Sequence, residues 1–184
     1  MKRTTIFLII LAIVASAAWA QEPAADRKKC TTTTTYIHGL QDNFGGGPDP
    51  TTPSPALAAF LGPLANPATY DYNAPNNHFG DSFRICGCKT CGGTLEVRVR
   101  HTNPVDIPNN DGIAVGVAPF NGPRVVSALV WAPGDPPVKT LTFNLDPAKL
   151  NKVLCSQKTD SSWLDVYVQD DTTIDYIQLT IFHP

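Results

Sequence analysis

The chain has 184 residues, 14 basic and 16 acidic side chains, a formal net charge of −2 and 42% hydrophobic residues. That length is one domain's worth, and with Arg27-Lys28-Lys29 as the one basic run it offers no electrostatic footprint for nucleic acid or an anionic membrane. Its 17 prolines and 13 glycines predict many turns and loops.

Residues 1–20, MKRTTIFLIILAIVASAAWA, place Lys2 and Arg3 before an apolar run from Ile6 to Val14 and end in Ala18-Trp19-Ala20. A basic start, an apolar middle and a small-x-small end predict a secretory signal peptide cut before Gln21. The apolar run is too short to span ~30 Å of hydrocarbon, so membrane insertion is not expected. Loss of Lys2 and Arg3 leaves a mature chain of 164 residues with 12 basic and 16 acidic side chains, a net charge of −4. Its expected location is secreted or periplasmic.

Residues 21–78 form a Thr/Pro/Gly-rich segment expected to pack on the same domain as residues 79–184. The threonine run at residues 31–35 is stiff and β-branched, and predicts an edge strand or a tail able to pair with one. The stretch DNFGGGPDPTTPSP then predicts a surface loop. One short helix comes after it, with Ser54 as N-cap, Pro55 in its first position and Gly62 as its stop.

Residues 79–184 carry strand signals at short intervals. In TLEVRVRH, Leu95, Val97 and Val99 take one face while Glu96, Arg98 and Arg100 take the other. IAVGVAPF, RVVSALVW and VKTLTFNL come next, then DPAKLNKVL as a second short helix capped by Asp146. The last pair, WLDVYVQ and IDYIQLTIF, points Leu164, Val166, Val168, Ile177, Leu179 and Ile181 inward. Together these elements predict an all-β fold: an antiparallel β-sandwich, of jelly-roll or galactose-binding-like type, with two short helices. A barrel is its structural competitor.

Between the last two strands lies QDDTTID, with Asp170, Asp171 and Asp175 close in sequence. Asp and Thr are ordinary turn formers, and a turn is the first reading. The second is Ca²⁺, which takes six to eight oxygen ligands; Asp111 of the turn NNDG is the candidate fourth carboxylate. The five cysteines obey a different logic. Cys86, Cys88 and Cys91 form CGCKTC, with Cys30 far upstream and Cys155 far downstream. In an exported chain disulfides are the default, and zinc on C-x-C-x₂-C is the alternative. One arrangement joins two cysteines of the cluster and ties the third to Cys30 or Cys155, and an odd number leaves one thiol over.

No nucleophile elbow is present, and His78, Asp81 and Ser82 in NHFGDS are neighbours only in sequence. The expectation is therefore not an enzyme, with a hydrolase as the third reading. Trp131, Trp163, Tyr70, Tyr72, Tyr167 and Tyr176 are aromatics that would stack on sugars if exposed. Tyr167 and Tyr176 fall on the outward phase of their strands, and with Arg98 and Arg100 they form the candidate ligand-binding set. A solvated sheet face with ordinary cross-strand pairs accounts for the same residues.

DNFGGGPDPTTPSPALAAFLG, HFGDSF, TLEVRVR, NDGIAV and LDVYVQDDTTIDYIQLTI together resemble an uncharacterised group of exported bacterial β-sandwich domains, which end in a VYVQDDT-x-x-DY-type strand pair. The resemblance covers most of the mature chain. It implies secretion and a sandwich, and brings no substrate or catalytic residue.

Two functions are expected on these grounds. The first is a secreted binding module without enzymatic activity, calcium-supported, recognising an extracellular glycan or a surface protein. The second is a structural or assembly protein of the cell surface that pairs with another chain, or with its own copy as a homo-oligomer, through its N-terminal strand or its odd cysteine.

Overall fold

Alternation of apolar and polar residues is realised as two four-stranded antiparallel sheets. The computed structural model describes residues 30–46, 49–62, 69–72, 78–102, 111–157, 161–169 and 171–184, so the expected signal peptide and Asp170 lie outside the described residues. The strands are β1 (Thr32–Gly39), β2 (Phe79–Cys86), β3 (Gly93–His101), β4 (Gly112–Gly116), β5 (Arg124–Leu129), β6 (Val138–Leu145), β7 (Ser161–Val168) and β8 (Thr172–His183). The helices are α1 (Pro55–Leu61) and α2 (Pro147–Cys155).

One sheet runs β1-β8-β3-β6 and the other β2-β7-β4-β5. First pairs with last, second with seventh, third with sixth and fourth with fifth. This is one long antiparallel ribbon rolled upon itself, the jelly-roll connectivity, and it is not a barrel. The threonine run forms β1, an edge strand against β8, as expected.

The core lies between the sheets. Leu95, Val97, Val99, Leu164, Val166, Val168, Ile177, Leu179 and Ile181 are all fully buried, as their alternation requires. Each such side chain contributes ~1.5–3 kcal/mol. Trp131 and Tyr70 are also buried, so neither is a sugar-stacking surface.

Both short helices start where their caps dictate. Ser54 Oγ accepts from Leu57 N and Asp146 Oδ1 from Lys149 N. Helix α1 does more than punctuate a loop. Its Leu57 and Leu61 pack with Ala114, Ala118 and Phe120 on the outer face of the second sheet. Gly80 admits the helix: a Cβ there would fall 2.6 Å from Leu61 Cδ1.

Disulfides join Cys30 to Cys91 and Cys88 to Cys155. Each uses a cysteine of CGCKTC with a distant partner, which corrects the expected pairing inside the cluster and spends the zinc ligands. Cys86 is the free thiol, exposed at the end of β2. Among the described residues, no helix is long and apolar enough to cross a membrane.

Candidate functional site

The acidic turn is divided among different duties. Asp171 sits at the turn with φ of 58°, and its carbonyl accepts from Thr102 N. Asp111 belongs to a buried chain in which Trp131 Nε1 donates to Thr172 Oγ1 at 2.8 Å and Thr172 Oγ1 to Asp111 Oδ2 at 3.1 Å. Asp175 goes elsewhere. Arg98 pairs with Tyr176 and Val99 with Ile174, so β8 bulges at Asp175 and turns its carboxylate towards the loop after β1.

There it meets two carboxylates that sequence reading missed. One oxygen from each of Asp42, Asp71 and Asp175 lies within 4.8 Å of the others, and among the described residues this is the one such group of three. Phe44 N donates to Asp175 Oδ1 and Gly45 N to Asp42 Oδ1, both at 3.0 Å. Asn43, Phe44 and Asp71 adopt positive φ, 62°, 63° and 60°, conformations that persist only when their surroundings hold them. Burial pushes the Asp71 carboxyl up to about 6, and repulsion from Asp42, Asp175 and Asp49 adds to it against the pull of Arg100. The available signal was DNFGGGPD: Gly46 leaves room where a Cβ would fall 2.2 Å from Asp42 Oδ2.

The four residues expected to bind ligand are split between opposite outer faces. Tyr176, Arg98 and Arg100 lie on the first sheet and are engaged locally. Tyr176 OH donates to Glu96 Oε1 at 2.5 Å; burial, then that bond, pushes the phenol up to about 12. Arg98 donates to Thr140 and Asn43, and Arg100 lies 4.4 Å over the Phe44 ring. This is the solvated sheet face of the ordinary reading.

Tyr167 has different surroundings. It borders a groove of about 570 Å³ on the outer face of the second sheet, floored by Gly112 and Ala114 and walled by Arg124, Ser127, Leu129 and Gln169. The small floor is a consequence of register: Gly112 faces Leu129, and Ala114 lies between Ser127 and Tyr167. The Tyr167 ring is fixed by the Phe60 edge at 5.3 Å and by His78, whose Nδ1 is 2.5 Å from the phenol oxygen. Gln169 is fixed too, accepting from Gly112 N at 2.9 Å. Leu129, 58% exposed, completes the rim.

The NHFGDS trio is not a triad. Strand alternation turns Asp81 inward and Ser82 outward, and each finds a different partner. Asp81 receives His38 Nδ1, Tyr70 OH, Thr52 N and Ser82 N. Burial works to raise its carboxyl, but the hydrogen bonds from His38, Tyr70 and Thr52 outweigh it and hold the group below the usual carboxylate range. Ser82 Oγ donates to Asp165 Oδ1 at 2.6 Å and accepts from Ser54 N; Asp165 Oδ2 takes Ala118 N. A hydroxyl donating to one fixed carboxylate and accepting from a helix cap braces α1 rather than attacking a substrate.

Compared with protein-family models, curated proteins and solved structures, the chain matches none.

Proposed function

We propose that the protein is a secreted, non-enzymatic binding module whose groove beside Tyr167 recognises an extracellular glycan. The observation that carries this reading is the groove's composition. A pyranose has an apolar face that rests on an aromatic ring and a rim of hydroxyls that need polar partners. Tyr167 supplies the ring, held in place by Phe60 and His78, while Arg124, Ser127 and Gln169 stand round a floor small enough to let a flat ligand approach. Two disulfides suit an oxidising compartment, as export requires. The test is a glycan array with the full chain, followed by titration of Tyr167→Ala against any hit. At least a tenfold loss of affinity is expected. An array without hits, or a variant that binds as well as wild type, would sink the reading.

A second reading, assembly at a cell surface, has its own support in the exposed Cys86 thiol and in β1, an edge strand. It predicts a dimer on non-reducing gels that disappears in Cys86→Ser.

A further inference from the structure

We propose that Asp42, Asp71 and Asp175 form a Ca²⁺ site that fastens the loop after β1 to the turn at Asp71 and to the β8 bulge. The sequence pointed to calcium in the acidic turn itself; the geometry relocates it and changes all but one of its ligands.

Proximity of acids alone would not carry this. The further observation is the state of the oxygens. Both Oδ atoms of Asp71 and Oδ2 of Asp49 expose less than 1 Å² each and have no hydrogen-bond partner. A buried carboxylate without donors is costly, because nothing replaces the water it has lost. Here the cost is compounded, since Asp42 and Asp175 bring like charge within 4.8 Å and Asp49 is near enough to act on Asp71. Among the described residues no lysine or arginine lies within ion-pair distance of these acids. Arg100, the nearby cation, is turned over the Phe44 ring.

A cation resolves all of this at once. Ligand oxygens at 2.3–2.6 Å from Ca²⁺ lie at most ~5 Å apart, and the three carboxylates already meet that limit. They come from three separate segments, and two are held by backbone donors at Phe44 and Gly45. Such a site needs no further folding to accept the ion; carbonyls and water complete the shell of so large a cation. Of the remaining buried acids, Asp81 is met by five donors, Asp165 by Ser82 and Ala118, and Asp111 by Thr172 at Oδ2. Among the described residues, only around Asp71 are buried carboxylate oxygens left over at a place where other carboxylates converge.

The experiment is calorimetric titration of the full chain, made in an oxidising compartment, with CaCl₂, alongside thermal melts in EDTA and in excess Ca²⁺. One ion per chain is expected, with a midpoint rise of about 5–10 °C at a hundredfold excess over the dissociation constant. Asp71→Asn keeps the shape and removes one charge. It should melt at or above wild type in EDTA and lose at least tenfold in affinity. Asp42→Asn, on an exposed residue, should lose affinity likewise, while Asp171→Asn in the acidic turn should titrate as wild type. No heat and no midpoint shift in wild type would overturn the site. So would a response that survives both Asp71→Asn and Asp42→Asn.

Discussion

Tyr70 OH lies 2.5 Å from Asp81 Oδ2, and both residues are at most 1% exposed. This bond ties the turn that carries Asp71 to the middle of β2. His38 Nδ1 reaches the same oxygen at 2.8 Å from the end of β1. One buried carboxylate thereby fastens three segments that share no strand register. Hydrogen bonds to charged groups contribute ~1.5–3 kcal/mol. Tyr70→Phe should therefore cost ~1–3 kcal/mol in urea unfolding at neutral pH. A cost near zero would show that the bond is compensated by solvent.

The same carboxylate sets an acid dependence. Its folded-state pKa is depressed, so its contribution is present above the unfolded carboxylate value and lost as pH falls through the folded one. His38, Tyr70, Thr52 and Ser82 all face it and hydrogen-bond to it. The stability gap between wild type and Asp81→Asn, measured in EDTA, should be constant around neutrality and shrink below about pH 4. A gap that widens in acid would contradict the assignment.

Gly39 lies where two of these features touch. Its φ is 76°, and a Cβ would fall 2.4 Å from the Asp175 carbonyl oxygen and 2.6 Å from Tyr70 Cδ1. Backbone strain and collision add, and neither neighbour is a flexible chain end. Gly39→Ala should destabilise by about 3 kcal/mol or more and weaken the Ca²⁺ response through the displaced bulge. Denaturant midpoints with and without Ca²⁺ check both.

Cysteine pairing gives a chemical test. Loops of 61 and 67 residues closed by disulfides stabilise by about 4 kcal/mol each on chain entropy. Maleimide labelling of the native chain should mark Cys86 alone, and peptide mapping should recover Cys30 with Cys91 and Cys88 with Cys155. Label on any other cysteine would refute the pairing.

Most strands were legible because one face is buried and the other is not, and the helices because Ser54-Pro55 and Asp146-Pro147 are strong start signals. Strand β2 was harder. FGDSF reads as polar at its centre, since Asp81 is buried against His38 and Tyr70 while Ser82 is buried beneath α1. Periodicity cannot announce a strand that is covered on both faces and carries buried polar residues at its centre. Nor could it tell that Tyr167 and Tyr176 face opposite sides of the molecule. Both are outward in phase, and only the rolled connectivity assigns β7 and β8 to different sheets. Asp42, Asp71 and Asp175 were invisible for a related reason. They converge from three segments far apart in the chain, with Asp175 carried by a bulge in β8.

Within the acidic stretch QDDTTID, Thr172 has a structural part. Its hydroxyl accepts from Trp131 Nε1 and donates to Asp111 Oδ2, and all three residues are at most 5% exposed. Thr172→Val keeps the shape but removes both bonds, leaving the indole N–H without its acceptor and the Asp111 oxygen without this donor. A buried polar group stripped of its partner costs ~1–3 kcal/mol, so a loss of ~2–4 kcal/mol is expected in denaturant unfolding. Ca²⁺ affinity should be unchanged, because the chain through Thr172 does not include Asp42 or Asp71. Asp71→Asn should do the reverse, losing the ion while holding or raising stability in EDTA. If Thr172→Val instead abolished the calcium response and left stability in EDTA intact, the turn would be the metal site that its sequence first suggested.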